Sequence, residues 1–463
     1  MPYRHWRGVT GMPNETLVRG RFPMQYNIVS APDFMPIHMI RDVQNRKFVD
    51  LFKRVYTNVP WYRNLLEEHN VNPESIKSID DIVKLPFIKK TDLRETYPTG
   101  MFARPMEEIV RFHASSGTTG KPIIMGYTRH DLDAWSESVT RALCMFGITE
   151  HDVIQVAYGY GVFTGGLGIH DGATRLGCTV LPISGGNTER QLTLMRDLGV
   201  TTIACTPSYF LHILDYARKI GFDWADSNLK HGVFGAEPWT EEMRKAIEME
   251  TGVQTHDIYG LTEISGPGVG GDCFCHDGIH IFEDHYYPEI IDPDTLEPLP
   301  DGELGELVFT TLDKEGIPLI RYRTRDMTRI IPEACQCRRT LRRIERVSHR
   351  SDDMMIVRGV NVFPSQIESV LLDIDASLVN YQIYLEKDKS GLDTIEVRVE
   401  PGPEKFKEFW NDECAKEGFR CVIAGKLKDT IGIGFKTTLV APDSIPRSEG
   451  KIKRVFDNRA KKK

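Results

Sequence analysis

VIQVAY (153–158), TVLPI (179–183), TTIAC (201–205) and GVFGA (232–236) are short apolar runs of strand length, and the segments between them have a different period. ERQLTLMRDLG (189–199) and SYFLHILDYARKIG (208–221) repeat their apolar residues every three or four positions, as helices do. Apolar strands alternating with helices predict an α/β fold, a largely parallel sheet covered by helices. Upstream, residues 1 to 110 read as mainly helical, with breaks at Pro60, Pro73 and Pro86. Downstream, IHIFEDHYYPEIID (279–292), ELGELVFTT (303–311) and LIRYRTRDMTRII (319–331) alternate like antiparallel strands, a β-rich layer. From about Arg350 the texture changes again. MMIVRGV, the helical SQIESVLLDI, a strand pair around NYQIYLEKD and TIEVRVEP, and then KFKEFWNDECAKEG predict a small α+β domain. The expected division is a large domain over 1–350 and a small one over 351–463.

At 463 residues the chain is too long for one compact core. Hydrophobic residues at 40% and charged residues at 27% fit a soluble globular protein, and a net charge of −8 gives no electrostatic case for nucleic acid. The start, MPYRHWRGV, lacks the apolar core of a signal peptide, and no run approaches the length of a membrane helix. Nine scattered cysteines, an odd number, point to a reduced cytoplasmic protein with thiols or a metal site, not to a disulfide framework.

The strongest local signal is SSGTTGKP, Ser115, Ser116, Gly117, Thr118, Thr119, Gly120, Lys121 and Pro122. Glycines let backbone N–H groups converge on an anion, hydroxyls add donors, and Lys121 adds charge, so the loop suits phosphates. It is not a Walker A loop, because Pro122 follows the lysine and IIMGYT reads as a strand; the loop joins two strands. In HDIYGLTE (256–263), Glu263 beside Thr262 suits Mg²⁺ bridging phosphates. In RYRTRD (321–326), Asp326 can accept hydrogen bonds from ribose hydroxyls; a surface ion pair with Arg323 or Arg325 is the plainer reading of that residue alone. RSDDMMIVRGVNVFPSQIE (350–368) opens the last region, and PRSEGKIKR (446–454) places Lys451 after Gly450 in a polar turn.

Taken in order, these motifs resemble the adenylate-forming superfamily of acyl-CoA synthetases, and within it the phenylacetate–CoA ligases. The resemblance covers nearly the full length and includes YGYGVFTGGLG (158–168) and GAEPW (235–239). It implies that Ser115 to Lys121 grip the triphosphate of ATP. Gly235, Ala236 and Glu237, with Asp257, Ile258 and Tyr259, would bracket adenine. Glu263 would bind Mg²⁺, and Asp326 would hold the ribose, with Arg350 nearby. Asp352 matches the hinge about which the small domain turns, and Lys451 the lysine that assists adenylation. The implied activity is ATP-dependent activation of an aryl carboxylic acid to an acyl-adenylate, followed by transfer to coenzyme A with release of AMP and pyrophosphate. Two alternatives stand beside it. One is an adenylate-former with another acyl acceptor. The other is a non-catalytic metabolite-binding protein on the same fold, against which Lys451 and Glu263 argue. The resemblance also implies a homodimer.

The aromatic and small residues of YGYGVFTGG suit a slot for a flat ring, with Tyr158 and Phe163 as walls and room left by Gly165 and Gly166. By resemblance Ala236, Ile258 and Pro267 complete it, and the acid is an arylacetate of the phenylacetate or indoleacetate kind. Cys273, Cys275, His276, His280, Cys335 and Cys337 form two close clusters whose thiols and imidazoles suit Zn²⁺. Resemblance to a subset of these ligases selects Cys273, His280, Cys335 and Cys337 as a structural site.

Overall fold

The computed structural model describes residues 27–115, 122–347, 349–351, 353, 355–358, 360–375, 377–388, 392–410, 412–447 and 453–459. Helices α1 (Ile37–Asn58), α2 (Pro60–Glu68) and α3 (Lys90–Glu95) come first. Pro60 opens α2 at its first turn, where a missing N–H leaves no bond unmade. A hairpin follows, β1 (Arg111–Ser115) antiparallel to β2 (Ile123–Tyr127), with Ser115 opposite Ile123.

Strand and helix then alternate as the apolar runs require: α4 (Arg129–Met145), β3 (Val153–Val156), α5 (Thr164–Leu176), β4 (Thr179–Leu181), α6 (Thr188–Asp197), β5 (Thr202–Cys205), α7 (Pro207–Ile220), β6 (His231–Gly235), α8 (Glu241–Thr251) and β7 (Gln254–Leu261). Strands β3 to β7 are parallel, in the order β7-β6-β5-β3-β4. Next come β8 (Gly266–Asp272), β9 (Ile279–Ile281), β10 (Tyr286–Ile291), β11 (Gly305–Thr311), β12 (Tyr322–Thr328), β13 (Ile330–Ile331), β14 (Arg343–Ile344) and β15 (His349–Arg350). Strands β8, β9, β14 and β13 extend the main sheet antiparallel beyond β7, while β10, β11, β12 and β15 build the separate antiparallel layer. IHI therefore joins the main sheet and not the layer that its sequence neighbours enter.

The last region holds the ribbon β16 (Met355–Val357) and β17 (Val360–Val362), helix α9 (Pro364–Ile374), strands β18 (Asn380–Lys387) and β19 (Asp393–Glu400), helices α10 (Pro403–Trp410) and α11 (Glu413–Ile431), and strands β20 (Lys436–Leu439) and β21 (Val455–Asp457). KFKEFWNDECAKEG is divided between two helices. The Asp412 carboxylate accepts from the backbone N–H groups of Cys414 and Ala415 at 3.0 Å and starts α11 afresh.

Two apolar clusters fill the large part and a third, built on Ile367, Leu371, Tyr381, Val397 and Leu427, fills the small one. Among the described residues the parts meet beneath α7 and α8. Leu372 and Val379 pack on the cluster beneath α7 and α8, and Lys219 pairs with Asp443 at 3.1 Å. Helices α4 and α5 approach so closely that a Cβ on Gly168 would stand 2.4 Å from the Trp135 ring, and one on Gly172 would stand 2.4 Å from Val139. Among the described residues no helix is long and apolar enough to cross a membrane.

Candidate active site

Parallel β-sheets present their loops at the carboxyl ends of the strands. Here Tyr158 follows β3, Ala236 and Glu237 follow β6, and Thr262 and Glu263 follow β7, all at one edge of the main sheet. Gly235 is needed at the end of β6, because a Cβ there would lie 2.3 Å from the Ile258 carbonyl oxygen. Ala236 takes φ +71°, a left-handed conformation that costs an alanine energy and turns the chain sharply out of the strand. Glu237 Oε1 accepts the backbone N–H of Ser208, in the first turn of α7.

Asp257 lies inward of these residues. Its N–H donates to Asp272 Oδ1 at 3.0 Å. Burial pushes its carboxyl up to about 7, against the pull of Arg346, whose Nε lies 3.8 Å away. Ile258 is buried. The Tyr259 hydroxyl donates to Asp326 Oδ2 at 2.6 Å; burial, then the Asp326 carboxylate, holds that phenol well above its usual range and so protonated. Asp326 sits within β12 opposite Arg350 of β15, whose guanidinium is 3.9 Å from Oδ1. Arg323 and Arg325 pair with Glu306 instead, at 2.5 and 3.4 Å. The plain ion-pair reading of Asp326 with its sequence neighbours therefore does not hold.

Glu263 is buried, and its loop is clamped from behind. Lys314 Nζ donates to the carbonyls of Glu263 and Ile264 at 3.2 and 2.6 Å, and the Tyr127 hydroxyl donates to the Ser265 carbonyl at 3.1 Å. Thr262 Oγ1 lies 3.4 Å from Thr164 Oγ1 at the start of α5. Glu263 Oε1 receives no hydrogen bond of good geometry, although the Lys90 ammonium stands 3.0 Å from it. The buried carboxylate is the hard oxygen donor that Mg²⁺ takes, and the ion would displace Lys90 from Oε1. Lys90, Lys314 and Arg346 are pieces of the site that sequence reading misses; each is brought in from a distant element by the fold alone.

Ser115 ends β1, and Ser116 to Lys121 lie outside the described residues, as do Asp352 and Lys451. The hairpin is tied to the aromatic turn: His113 Nδ1 donates to the Val162 and Phe163 carbonyls at 3.2 and 3.1 Å. In that turn Tyr158 is buried and Phe163 is half exposed at the start of α5. A Cβ on Gly165 would meet the Tyr158 ring at 3.3 Å, whereas one on Gly166 would strike the Gly159 carbonyl oxygen at 2.6 Å. Gly166 thus makes room for the Gly159 backbone. The Pro267 carbonyl accepts from Trp135 Nε1 at 2.8 Å, which fixes the wall behind α5.

Cys273, His280, Cys335 and Cys337, all buried, bring one donor atom each within 4.8 Å of one another. The His280 Nδ1–H donates to the Leu341 carbonyl at 3.2 Å, which leaves the Nε2 lone pair facing Cys337 Sγ at 3.3 Å. Hydrogen bonds among the thiols push Cys335 and Cys337 below the usual thiol range and Cys273 above it. Four such donors fit a closed tetrahedral zinc site, with the Cys275 thiol next to Cys273 and Cys335.

The family described as AMP-binding enzyme matches residues 56–311, and its C-terminal domain matches 359–459. The phenylacetate–coenzyme A ligase of Thermus thermophilus is 47% identical over 92% of this chain and 98% of its own length; that of Pseudomonas putida is 49% identical over 88% and 91%. Among solved structures, 2-hydroxyisobutyryl-CoA ligase in the postadenylation state with 2-HIB-AMP superposes with a TM-score of 0.87 at 26% identity, over 95% of each chain. The same ligase in its thioesterification state, with 2-HIB-AMP and CoA, gives 0.68 at 28% identity over 93% and 92%. With two domains matched in order and near-full-length relatives approaching half identity, the chain belongs to the AMP-binding, adenylate-forming enzymes and, among them, to the phenylacetate–coenzyme A ligase family.

Proposed function

We propose that this enzyme uses ATP to convert an aryl carboxylic acid of the phenylacetate or indoleacetate kind to its acyl-adenylate, then transfers the acyl group to coenzyme A and releases AMP and pyrophosphate. The observation that carries the reading is that Tyr158, Glu237, Tyr259 and Glu263 stand at the carboxyl ends of the main-sheet strands and Tyr259 reaches Asp326 of the antiparallel layer, so that independent elements hold the polar groups before any substrate arrives. Such preorganisation is what transfer of a charged leaving group requires.

In this reading the Asp326 carboxylate, oriented by Tyr259, accepts the ribose hydroxyls, and Ala236 and Glu237 flank adenine beside Asp257 and Ile258. The acid lies against Tyr158, with Phe163, Ile258 and Pro267 as further walls. Ser115 to Lys121 hold the phosphates. Glu263, with Thr262 beside it, would hold Mg²⁺, which neutralises phosphate charge when bound. Lys451 brings the substrate carboxylate to the α-phosphorus. The carboxylate oxygen forms the new P–O bond, the bond to pyrophosphate breaks, and the thiol sulfur of coenzyme A later displaces AMP from the acyl carbon. The small domain, taken as 351–463 with Asp352 as hinge, carries Lys451 away between the two steps. The higher likeness to a postadenylation structure than to a thioesterification structure supports a chain described here in the first arrangement. Cys273, His280, Cys335 and Cys337 would hold one structural Zn²⁺ that braces β8, β9 and the 335–337 turn, leaving no open position for substrate.

A panel of carboxylic acids scored by pyrophosphate release, with and without coenzyme A, tests the reading. Release with arylacetates, and thioester only when coenzyme A is present, is the expected result. No release with any aryl acid, or product formation indifferent to coenzyme A, would overturn it.

A further inference from the structure

Behind the nucleotide edge, His256 of β7, Asp272 at the end of β8 and His276 in the following turn bring one donor atom each within 4.8 Å of one another. None of the three belongs to the thiol cluster, although Asp272 precedes Cys273 directly. We propose that they form a second metal site, open and separate from the thiol-rich one, for a borderline divalent transition ion such as Zn²⁺, Co²⁺ or Ni²⁺.

The donor set decides the class of ion. Two imidazoles and one carboxylate suit nitrogen-preferring ions and disfavour Mg²⁺ and Ca²⁺, which take oxygen ligands. The His256 ring is buried and stacked on Phe146, 4.8 Å between centroids. Its Nε2 contacts His231 Nδ1 at 3.2 Å, while its Nδ1 is buried with no hydrogen-bond partner, 3.8 Å from Asp272 Oδ1. With the proton on Nε2 and shared with His231, Nδ1 presents its lone pair toward the carboxylate, which is how an outer partner sets a ligating imidazole. An orphaned buried nitrogen is costly, and a cation would satisfy it. On the other side His276 Nδ1 lies 2.8 Å from Asp272 Oδ2, where a bound ion would take the place of the shared proton.

The competing cation is Arg346, 3.5 Å from Asp272 Oδ2. It also reaches Glu241 at 3.5 Å and Asp257 at 3.8 Å and lies over the Trp239 ring at 5.0 Å, so it keeps partners when Asp272 turns to a metal. Three protein donors leave one coordination position open, and His276 is part-exposed and gives solvent access to it. Because Asp272 also accepts the Asp257 N–H, occupancy would be felt at the adenine side of the nucleotide site.

The test loads the metal-stripped full chain with Co²⁺ and counts ions per chain by elemental analysis, alongside the absorption spectrum. Two ions are expected. The first carries thiolate-to-cobalt charge transfer, and the second shows only weak nitrogen–oxygen bands. His276→Ala and His276→Gln should keep the first ion, which certifies the fold, and weaken the second by about tenfold or more. Saturation of the native chain at a single ion with thiolate charge transfer would overturn the proposal, as would a second ion unchanged in both variants. Loss of both ions together in either variant would mean one shared site, and would overturn it equally.

Discussion

Some ion pairs of the large part of the chain are buried at both ends, whereas the described pairs of the small part, Arg447–Glu400 and Arg454–Glu368 included, are open to solvent at one end at least. Arg141, fully buried, is bracketed by Asp33 at 2.8 Å and Asp284 at 2.8 Å, and Arg321–Glu289 and Arg323–Glu306 are likewise buried. In the small part Lys407–Glu404, Arg420–Glu417 and Lys426–Asp373 are surface pairs. Buried pairs are costly to break and reward one arrangement only, whereas exposed pairs are worth little. The difference teaches where rigidity is placed. In the proposed reading the large part keeps its nucleotide groups in register, and the small part, with a core of its own, is the body that changes position.

The sharpest way to break this contrast is Lys451→Ala. Adenylation should fall by about 10² or more, while conversion of supplied acyl-adenylate and coenzyme A to thioester should persist. Equal loss of both half-reactions, measured separately, would remove the alternation from the picture. Next comes Cys335→Ser, which strikes the rigid part. It should expel zinc and lower stability by roughly 3 kcal/mol, read as a melting temperature lower by about 5–10 °C. Activity per folded molecule should change little. Unchanged melting and metal content would show that the thiols brace nothing.

Tyr158→Ala acts inside the rigid part on substrate alone. Lost apolar contact of roughly 1–3 kcal/mol should reduce kcat/KM for arylacetates while the KM for ATP stays near its starting value. An acid profile identical to the parent's would move the slot elsewhere. Smallest is Lys219→Ala, which removes the 3.1 Å bridge to Asp443 between the parts. An exposed pair is worth about 0.2–1 kcal/mol, so the ratio of the two half-reaction rates should shift by less than about fivefold. A larger shift would mean that the parts are held more firmly than their contacts suggest.

The parallel core is legible in the sequence because a strand buried on both faces must be apolar throughout, as TTIAC and GVFGA are. The thiols and imidazoles are legible as two close clusters, from which the family resemblance selects Cys273, His280, Cys335 and Cys337, and the fold brings these four together. Lys90 beside Glu263 is not legible, since its segment KKTDLRE carries no pattern beyond a helix start. Nor is Arg346, which reaches Asp257, Asp272 and Glu241 from the far end of the β layer. The His256, Asp272 and His276 group leaves a faint trace, two histidines and an aspartate at the ends of adjacent strands. Their meeting depends on the β7–β8 register, which no local spacing encodes.

The tight seam between α4 and α5 limits how this enzyme can be re-tailored to other acids. With no Cβ tolerated at Gly168 or Gly172, α5 cannot slide toward Trp135 or Val139, and the Pro267 wall is pinned by the same tryptophan. The back of the proposed acyl slot is therefore fixed in depth. Bulkier acids must be accommodated at its mouth, where Phe163 is half exposed and Gly161 has open space around it, so selection or design for a new substrate should begin at those two positions.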